Sequence, residues 1–164
     1  MRYRVLDSPV GVLTLAGMGD GSLSHLRMDD QLYPPKGTDG WVRDDSLFDD
    51  VAEQLAAYFD GSLTAFDVRL DLEGTEFQRR CWEALLEIPY GETRSYGEQA
   101  RRIGQPTASR AVGLANGRNP VGIIVPCHRV IGADGSLTGY GGGLPRKRRL
   151  LELERSRLAP SLGI

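Results

Sequence analysis

The sequence predicts an α+β protein, because its hydrophobic pattern changes at about residue 75. Before that point, short β-prone runs alternate with turn residues around one amphipathic helix; beyond it, apolar residues recur at helical spacing. A length of 164 residues, with 40% hydrophobic and 26% charged residues, is typical of a folded protein of one domain or two small ones. We therefore expect an N-terminal α/β domain over residues 1–74 and a mostly helical C-terminal domain over residues 75–164.

The first half is expected to contain a small antiparallel sheet. The β-prone runs at 3–6, 10–16 and 23–28 predict three strands, the last of which follows a hairpin-type turn at 19–22. Residues 32–41 contain two prolines and two glycines, so they are expected to form a loop.

One helix and one further strand complete this half. Apolar residues recur at helical spacing at Phe48, Val51, Leu55, Tyr58 and Phe59. Asp45 or Ser46 is the candidate N-cap of this helix, and Gly61 is its expected stop. The strand is predicted from alternating apolar residues at Phe66, Val68, Leu70 and Leu72. We expect this half to be chiefly structural.

Capping boxes, in which a side chain and the backbone satisfy each other's free donors, mark two helix starts in the second half. They lie at Thr75 with Gln78 and at Ser95 with Glu98. The helices are expected to run over 76–86 and 96–102.

A third helix is predicted over 107–116, with Thr107 as its cap. Together with the helix at 96–102 and the glycine-containing turn between them, it forms a helix-turn-helix pattern. Small residues follow one another along this third helix. A last helix is expected from about 145 to 156, and the tail from Ala159 is expected to be loose.

The short apolar run 121–126 predicts a buried strand or extended segment that leads to Cys127. A cysteine attacks as its thiolate, which positive charge or an imidazole favours, and His128 and Arg129 follow Cys127 directly. This placement suits a nucleophile, although an inert buried thiol is the alternative. On a strand His128 would point away, so the two groups can communicate only if a tight helical turn begins at Cys127. Glu154 could accept a hydrogen bond from His128, or it could be an ordinary surface residue.

The formal net charge of −2 is an average over two unlike halves. Residues 1–75 carry −8 and residues 76–164 carry +6, and the segment 94–149 alone carries +8. Eighteen of the 20 basic residues are arginine, whose forked guanidinium suits phosphate. A helix-turn-helix with local positive charge favours a DNA-binding surface. We therefore expect residues 94–149 to face DNA and the acidic half to stay away from it.

Membrane insertion and secretion are both disfavoured. The apolar stretches are far shorter than the roughly 18 residues of a membrane-spanning helix, and no apolar signal core follows the N-terminal residues. A cytoplasmic protein without a membrane partner is expected. Its two cysteines, Cys81 and Cys127, are then expected to stay reduced, with Cys81 as a small core residue.

The run Ile124-Val125-Pro126-Cys127-His128-Arg129-Val130 resembles the active-site signature of the O6-alkylguanine-DNA alkyltransferases. The resemblance covers nearly all of residues 75–157, through the segments 77–86, 89–92, 95–96, 109–113, 119–120, 139–140 and 150–154. It implies an N-terminal α/β domain of ribonuclease-H-like topology before the helical domain. It also implies repair of double-stranded DNA that carries O6-alkylguanine, with O4-alkylthymine as a second substrate, by a single irreversible alkyl transfer to the protein.

The resemblance also implies a role for each matching residue. Cys127 would be the alkyl acceptor, His128 its base through a bridging water, and Glu154 the group that orients His128. Asn119 would brace the turn before the site, and Tyr96 would donate to the flipped guanine. The pocket for the base would be lined by Tyr96, Val130, Tyr140 and Gly141.

The recognition helix would enter the minor groove, and Arg110 would fill the gap that the flipped base leaves. Other expected DNA contacts are Thr107, Ala108, Ser109, Ala111, Gly113 and Arg118. The small residues among them suit a narrow groove. A monomer in solution is expected, and assembly along DNA stays an open alternative.

Two features depart from relatives of this family. Gly141 stands where many members have a serine, so only a backbone donor is expected there. Some relatives carry a zinc site, but Cys81 and His25 are the only spare ligands here, so we expect no metal and no cofactor. The competing hypotheses are a cysteine hydrolase that uses Cys127 and His128, and a helix-turn-helix regulator or damage sensor without transfer activity.

Overall fold

The N-terminal region of the protein, in a computed structural model that describes residues 1–29 and 40–158, is built on a four-stranded sheet. Its order is β3-β2-β1-β4, in which β1 (Arg2–Leu6), β2 (Leu13–Gly17) and β3 (His25–Met28) are antiparallel and β4 (Val42–Arg43) is parallel to β1. The predicted antiparallel sheet is confirmed. Residues 32–39 of the predicted loop, and the tail from Ala159, lie outside the described residues.

Strand β2 begins three residues later than predicted. Residues 8–11 form a turn, in which the backbone N–H of Gly11 donates to the carbonyl of Ser8 at 3.0 Å. Gly11 has a φ of 105°, a conformation that favours glycine. Val10 is therefore held out of the ladder.

Helix α1 (Asp49–Asp60) confirms the predicted helix but not its predicted cap. Its N-cap is Phe48, in the left-handed region at φ 59°, and it has no side-chain cap. Asp45 and Ser46 lie in the preceding turn, where the Ser46 hydroxyl donates to Asp44 Oδ1 at 2.5 Å. The predicted stop at Gly61 is confirmed, since its backbone N–H caps the end of α1.

The strand predicted over 66–72 is wrong, except for one bridge between Leu70 and Leu23. At Asp67 the backbone pairs with a side chain rather than with a strand. Gln54 of α1 donates to the carbonyl of Asp67 at 3.0 Å and accepts from its N–H at 2.8 Å. The apolar residues of the segment still pack against the core.

The second half contains helices α2 (Glu76–Leu86), α3 (Tyr96–Arg102), α4 (Ser109–Gly117) and α5 (Leu144–Leu158). Two short strands, β5 (Arg94–Ser95) and β6 (Val130–Ile131), pair in parallel. Both predicted capping boxes are present, at the starts of α2 and α3. The two-domain α+β class, with its helix-turn-helix at α3 and α4, is confirmed.

The cap predicted at Thr107 is wrong. Helix α4 begins at Ser109 after Ala108, which offers no capping side chain. A backbone turn, with the N–H of Ala108 donating to the carbonyl of Gln105 at 3.0 Å, leads into the helix instead.

The apolar run 121–126 is buried, as expected, but it is not a strand beyond Val121. It folds into consecutive tight turns: the N–H of Ile124 donates to the carbonyl of Gly122 at 2.8 Å, and that of Cys127 to the carbonyl of Val125 at 2.8 Å. Ile123, between them, has a φ of 70°, which is rare for a β-branched residue. The sequence pattern predicted that this segment is buried, but it did not predict that the backbone turns.

These turns join the two halves of the molecule. The N–H of Leu26 in β3 donates to the carbonyl of Pro120 at 2.9 Å, and the N–H of Gly122 donates to the carbonyl of Leu26 at 3.3 Å. One hydrophobic cluster contains buried residues of both halves, including Leu15, Tyr58 and Leu150. The active-site segment is thus packed directly on the N-terminal sheet. None of the helices within the described residues is both long and apolar enough to cross a membrane.

Candidate active site

Cys127 opens a single 3-10 turn, Cys127–Arg129, at the end of these tight turns. It is largely buried, and its sulfur accepts a hydrogen bond from the side-chain amide of Asn119, with 3.2 Å between Nδ2 and Sγ. The same amide nitrogen donates to the carbonyl of Val125 at 2.8 Å, while Asn119 Oδ1 accepts from the N–H of Val121 at 3.0 Å. Asn119 therefore braces the segment before Cys127 and also contacts the sulfur.

Burial raises the pKa of the Cys127 thiol, whereas the hydrogen bond from Asn119 and the positive charge of Lys147 oppose that rise. Because the thiol form is favoured in the resting protein, a nucleophilic thiolate needs a group that accepts the proton.

His128 can supply that group. The tight helical turn on which such communication depends is present, because Cys127 and His128 lie in the 3-10 turn rather than on a strand. Its side chain is fully buried, and its Nε2 lies 2.6 Å from Glu154 Oε2. A carboxylate at that distance fixes the Nε2–H tautomer and leaves Nδ1 with a lone pair. Within the described residues, the buried Nδ1 atom has no hydrogen-bond partner.

Burial lowers the pKa of His128, and the hydrogen bond and charge of Glu154 act against it. The net effect favours neutral imidazole near neutral pH. A neutral imidazole with an unused Nδ1 is able to act as a general base.

Glu154 is not a surface residue, since only 1% of it is exposed. Arg129 contacts both of its oxygens, with Nε 2.8 Å from Oε1 and Nη2 3.1 Å from Oε2, and the N–H of Gly91 donates to Oε1 at 3.3 Å. Although burial favours the neutral acid, hydrogen bonds and charges from His128 and Arg129 lower the pKa of Glu154 to about 2. Glu154 thus stays ionised and orients His128 without taking its proton.

Two groups to which the sequence analysis gave no role, Tyr58 and Lys147, lie at this centre together with Arg129. Tyr58 entered only as a core position of α1, and nothing in its sequence context signals a polar partner. Lys147 is fully buried, and its Nζ donates to the carbonyls of Val130 at 2.5 Å and Thr138 at 2.7 Å. The only available signal for Lys147 was its type, since the chain has two lysines and 18 arginines.

The cavity beside Cys127 is small, at about 10 Å³, roughly the space of one water-sized sphere. Tyr140 and Gly141 line it, together with Asn116, Asn119 and Met28. Met28 comes from β3, and an added Cβ on Gly142 would lie 2.6 Å from its sulfur, so this wall depends on a glycine.

Tyr96 and Val130 do not line the cavity in this closed arrangement. The hydroxyl of Tyr96 donates to the carbonyl of Thr138 at 3.0 Å, and the carbonyl of Val130 is bonded to Lys147. Through these contacts both residues hold the loop 132–143, whose residues Tyr140, Gly141 and Gly142 line the cavity. A cavity of about 10 Å³ is too small for a purine.

The expected DNA-binding surface lies on α3 and α4. Arg110, Ala111 and Arg118 are exposed there, Thr107 is exposed in the preceding turn, and Ala108 and Ser109 are half-buried. Gly113 is also half-buried, and a Cβ added there would lie 3.6 Å from Tyr96 Cε1. Leu114 departs from the small-residue pattern and is 68% exposed, one turn beyond Arg110.

A buried amide pair fixes the two helices of this motif. Gln99 of α3 and Asn116 of α4 exchange two hydrogen bonds, of 2.9 and 2.8 Å, and Gln99 also donates to the carbonyl of Cys81 in α2 at 3.1 Å. Cys81 is itself buried, as expected, and burial raises its pKa to about 11, so it is an inert thiol.

Three cations of the segment 94–149, which is expected to face DNA, do not lie on an open surface. Arg129 and Lys147 are buried at the candidate site, and Arg146 binds Asp29 and the carbonyl of Val10. These three cations neutralise or position groups inside the molecule. Arg148 and Arg149 remain exposed on α5.

Metal binding finds no support among the described residues, where no three His, Cys, Asp or Glu side chains lie together. His25 packs against the ring of Trp41, with 5.2 Å between ring centroids.

Comparison with known proteins covers almost the whole chain. The family model of the 6-O-methylguanine DNA methyltransferase DNA binding domain matches residues 76–156, and that of its ribonuclease-like domain matches residues 1–72. The methylated-DNA--protein-cysteine methyltransferase of Mycobacterium tuberculosis (strain ATCC 25618 / H37Rv) is 63% identical over 162 residues, which is 99% of this chain and 97% of the relative. The protein of the same name from Methanosarcina acetivorans is 54% identical over 95% of this chain and 99% of its own.

Solved structures agree with these sequence matches. The crystal structure of Mycobacterium tuberculosis OGT in complex with DNA has a TM-score of 0.93 at 64% identity, over 96% of this chain and 94% of that chain. An O6-methylguanine DNA methyltransferase from Methanococcus jannaschii has a TM-score of 0.65 at 25% identity, over 96% of each chain. On the strength of the two domain matches and of relatives more than half identical along almost the full length, this protein belongs to the 6-O-methylguanine DNA methyltransferase family.

Proposed function

We propose that this protein repairs alkylated DNA by direct reversal, as a methylated-DNA--protein-cysteine methyltransferase that acts once. The observation that carries the proposal is the geometry around Cys127: its sulfur accepts from Asn119, and the adjacent His128 is oriented by Glu154 with its Nδ1 unused. The names of the curated relatives, and the DNA complex of one of them, support the same function.

The transfer is one displacement. Cys127 loses its thiol proton to Nδ1 of His128 through a bridging water. The sulfur then attacks the alkyl carbon, so that an S–C bond forms while the bond from carbon to O6 of guanine breaks. The electron pair stays with guanine, which takes up the proton that the thiol gave to His128 and remains in the strand as the repaired base. Tyr96, once released from Thr138, donates to the base and helps to neutralise the leaving group.

The thioether on Cys127 ends the reaction. A thioether carbon is a far poorer electrophile than the thioester of an acyl-enzyme, so the S–C bond persists. One protein molecule therefore repairs one base.

DNA binds through the recognition helix α4 in the minor groove. Arg110 enters the stack in place of the flipped base. Base flipping is needed because a buried nucleophile cannot reach O6 inside a duplex. Thr107, Ala108, Ser109, Ala111 and Arg118 are the neighbouring contacts. The base pocket is formed by Tyr96, Val130, Tyr140 and Gly141 after the loop over Cys127 opens.

We also propose that the chain divides into domains at residues 74 and 75, where the capping box of α2 begins. The protein is proposed to be cytoplasmic and monomeric, with reduced cysteines and without a metal or cofactor.

The test is the intact mass after mixing with a duplex that contains O6-methylguanine. We expect a plateau at one methyl group per protein, mapped to Cys127, and no transfer to a Cys127→Ser variant that still binds the duplex. Sustained turnover, or methylation at another residue, contradicts the proposal. Turnover of a chromogenic ester would favour a cysteine hydrolase instead.

A further inference from the structure

The N-terminal half reaches into the candidate site through Tyr58. This residue lies on α1, is fully buried, and its hydroxyl donates to Glu154 Oε2 at 2.6 Å. The two residues are 96 positions apart in the sequence. An acidic half that was expected to be chiefly structural thus supplies a polar contact to the group that orients His128.

The hydroxyl shares its acceptor with the imidazole. Glu154 Oε2 accepts from Tyr58, from His128 Nε2 at 2.6 Å and from Arg129 Nη2 at 3.1 Å. A carboxylate offers about four acceptor positions in all, so three donors on one oxygen compete for its charge. The negative charge available to His128 is therefore smaller than it would be without Tyr58.

Packing, not the hydrogen bond, places the Tyr58 ring. It lies against Phe59, Phe66 and Tyr90, with ring centroids 5.2, 5.3 and 6.1 Å away. Burial, together with the charge of Glu154, raises the pKa of Tyr58 far above its ordinary value, so the hydroxyl stays a donor. The aromatic cluster thus delivers a fixed, permanently protonated O–H to the carboxylate.

We propose that Tyr58 is a positioning residue of the transfer site, which shares the charge of Glu154 and so keeps His128 neutral and able to accept the proton of Cys127. The inference rests on the proposed function, because it gives Tyr58 a role in the same proton transfer.

The groups that set the charge of His128 are few. Burial lowers its pKa first of all; Glu154 from α5 raises it, and Arg129 and Lys147 lower it. Removal of the Tyr58 hydroxyl concentrates charge on Oε2 next to His128 and should raise the pKa of His128. Since the base must be neutral, the acid limb of the pH–rate profile should move to higher pH.

The experiment compares the single-turnover rate of wild type, Tyr58→Phe and the control Tyr3→Phe, which removes a hydroxyl from β1, from about pH 5 to pH 8. For Tyr58→Phe we expect the acid limb to move up by about half to one pH unit. On that limb the rate falls about 3- to 10-fold, whereas the plateau changes by less than about twofold. Affinity for the duplex and the profile of Tyr3→Phe should match wild type.

A second background separates positioning from packing. In a His128→Gln protein, Tyr58→Phe should leave the residual rate unchanged, because no titrating base is left for Tyr58 to act on. Three outcomes overturn the proposal. The acid limb of Tyr58→Phe does not move, the rate falls equally at every pH together with a lower Tm, or the same loss of rate occurs in the His128→Gln background. Absence of a Cys127 adduct in wild type would overturn the proposed function instead, so the two failures are distinguishable.

Discussion

The side-chain amide of Asn119 and the sulfur of Cys127 are 3.2 Å apart, and the same amide holds the backbone on both sides of the turn between them. Asn119 thus donates to the nucleophile and also fixes the backbone that leads to it. Loss of this one side chain should affect both the reactivity of the thiol and the stability of the fold.

Asn119→Ala is expected to raise the pKa of Cys127, because the thiolate loses its donor. It should also cost about 1–3 kcal/mol of unfolding free energy, since the N–H of Val121 loses its acceptor and the carbonyl of Val125 keeps only the N–H of Cys127 as a donor. The rate of thiol alkylation by iodoacetamide as a function of pH checks the first effect, and urea unfolding checks the second. An unchanged alkylation profile would show that the contact with sulfur is electrostatically silent.

The stability of the protein should fall in acid through Glu154. Its folded pKa of about 2 lies below the ordinary value of 4.5, so its contribution is complete above about pH 4.5 and is lost as the pH falls toward 2. Integrated over that window, the contribution is about 3 kcal/mol.

Glu154→Gln should therefore be less stable than wild type at neutral pH, because Arg129 loses its ion pair. Its free energy of unfolding should also fall less steeply as the pH is lowered. Urea unfolding between about pH 2 and pH 7 measures both features. Glu152→Gln, an exposed position on the same helix, is the matched control and should behave as wild type. An equal acid slope in all three proteins would contradict the assignment.

Lys147→Met should loosen the loop over the cavity. The buried ammonium donates to the carbonyls of Val130 and Thr138, of which Thr138 also accepts from Tyr96, and the loss of these two hydrogen bonds costs about 1–3 kcal/mol. Burial lowers the pKa of Lys147 to about 8, so it is still mostly charged near neutral pH, where its charge favours the Cys127 thiolate. We expect lower stability and a pH profile of thiol alkylation that moves to higher pH, with Arg148→Met as the control on the exposed face of α5. Wild-type values for both measurements would exclude this role.

Arg110→Ala should impair repair in duplex DNA more than reaction with the free base. If Arg110 fills the gap left by the flipped nucleotide, the variant no longer compensates the unstacking free energy of a few kcal/mol. Flipping is then less favourable, and transfer from a duplex slows by about tenfold or more. Transfer from the free base O6-methylguanine should change by less than about twofold. Arg102→Ala is the control, because Arg102 is exposed but paired with Glu87 at 2.7 Å. Equal slowing on both substrates would place Arg110 outside the flipping step.

Local signals in the sequence predicted local structure. The pairs Thr75/Gln78 and Ser95/Glu98 form their capping boxes, and Gly61 ends α1, because each signal acts within a few residues. Where a local pattern is compatible with more than one backbone conformation, the predicted conformation was wrong. The β-branched run after Pro120 is buried but turns sharply at Ile123, because its partners are Leu26 and Asn119 rather than neighbouring strands on both sides.

The sequence by itself determined the α+β class, the helix-turn-helix and, through its resemblance to a family, the identities of Cys127, His128 and Glu154. It also showed the division of charge near residue 75, but not that Arg129, Arg146 and Lys147 turn inward. Only the tertiary structure decided the partners of Glu154, among them Tyr58. Hydrogen bonds between residues 96 positions apart depend on how separate elements pack, and no short-range pattern of residue types encodes that packing.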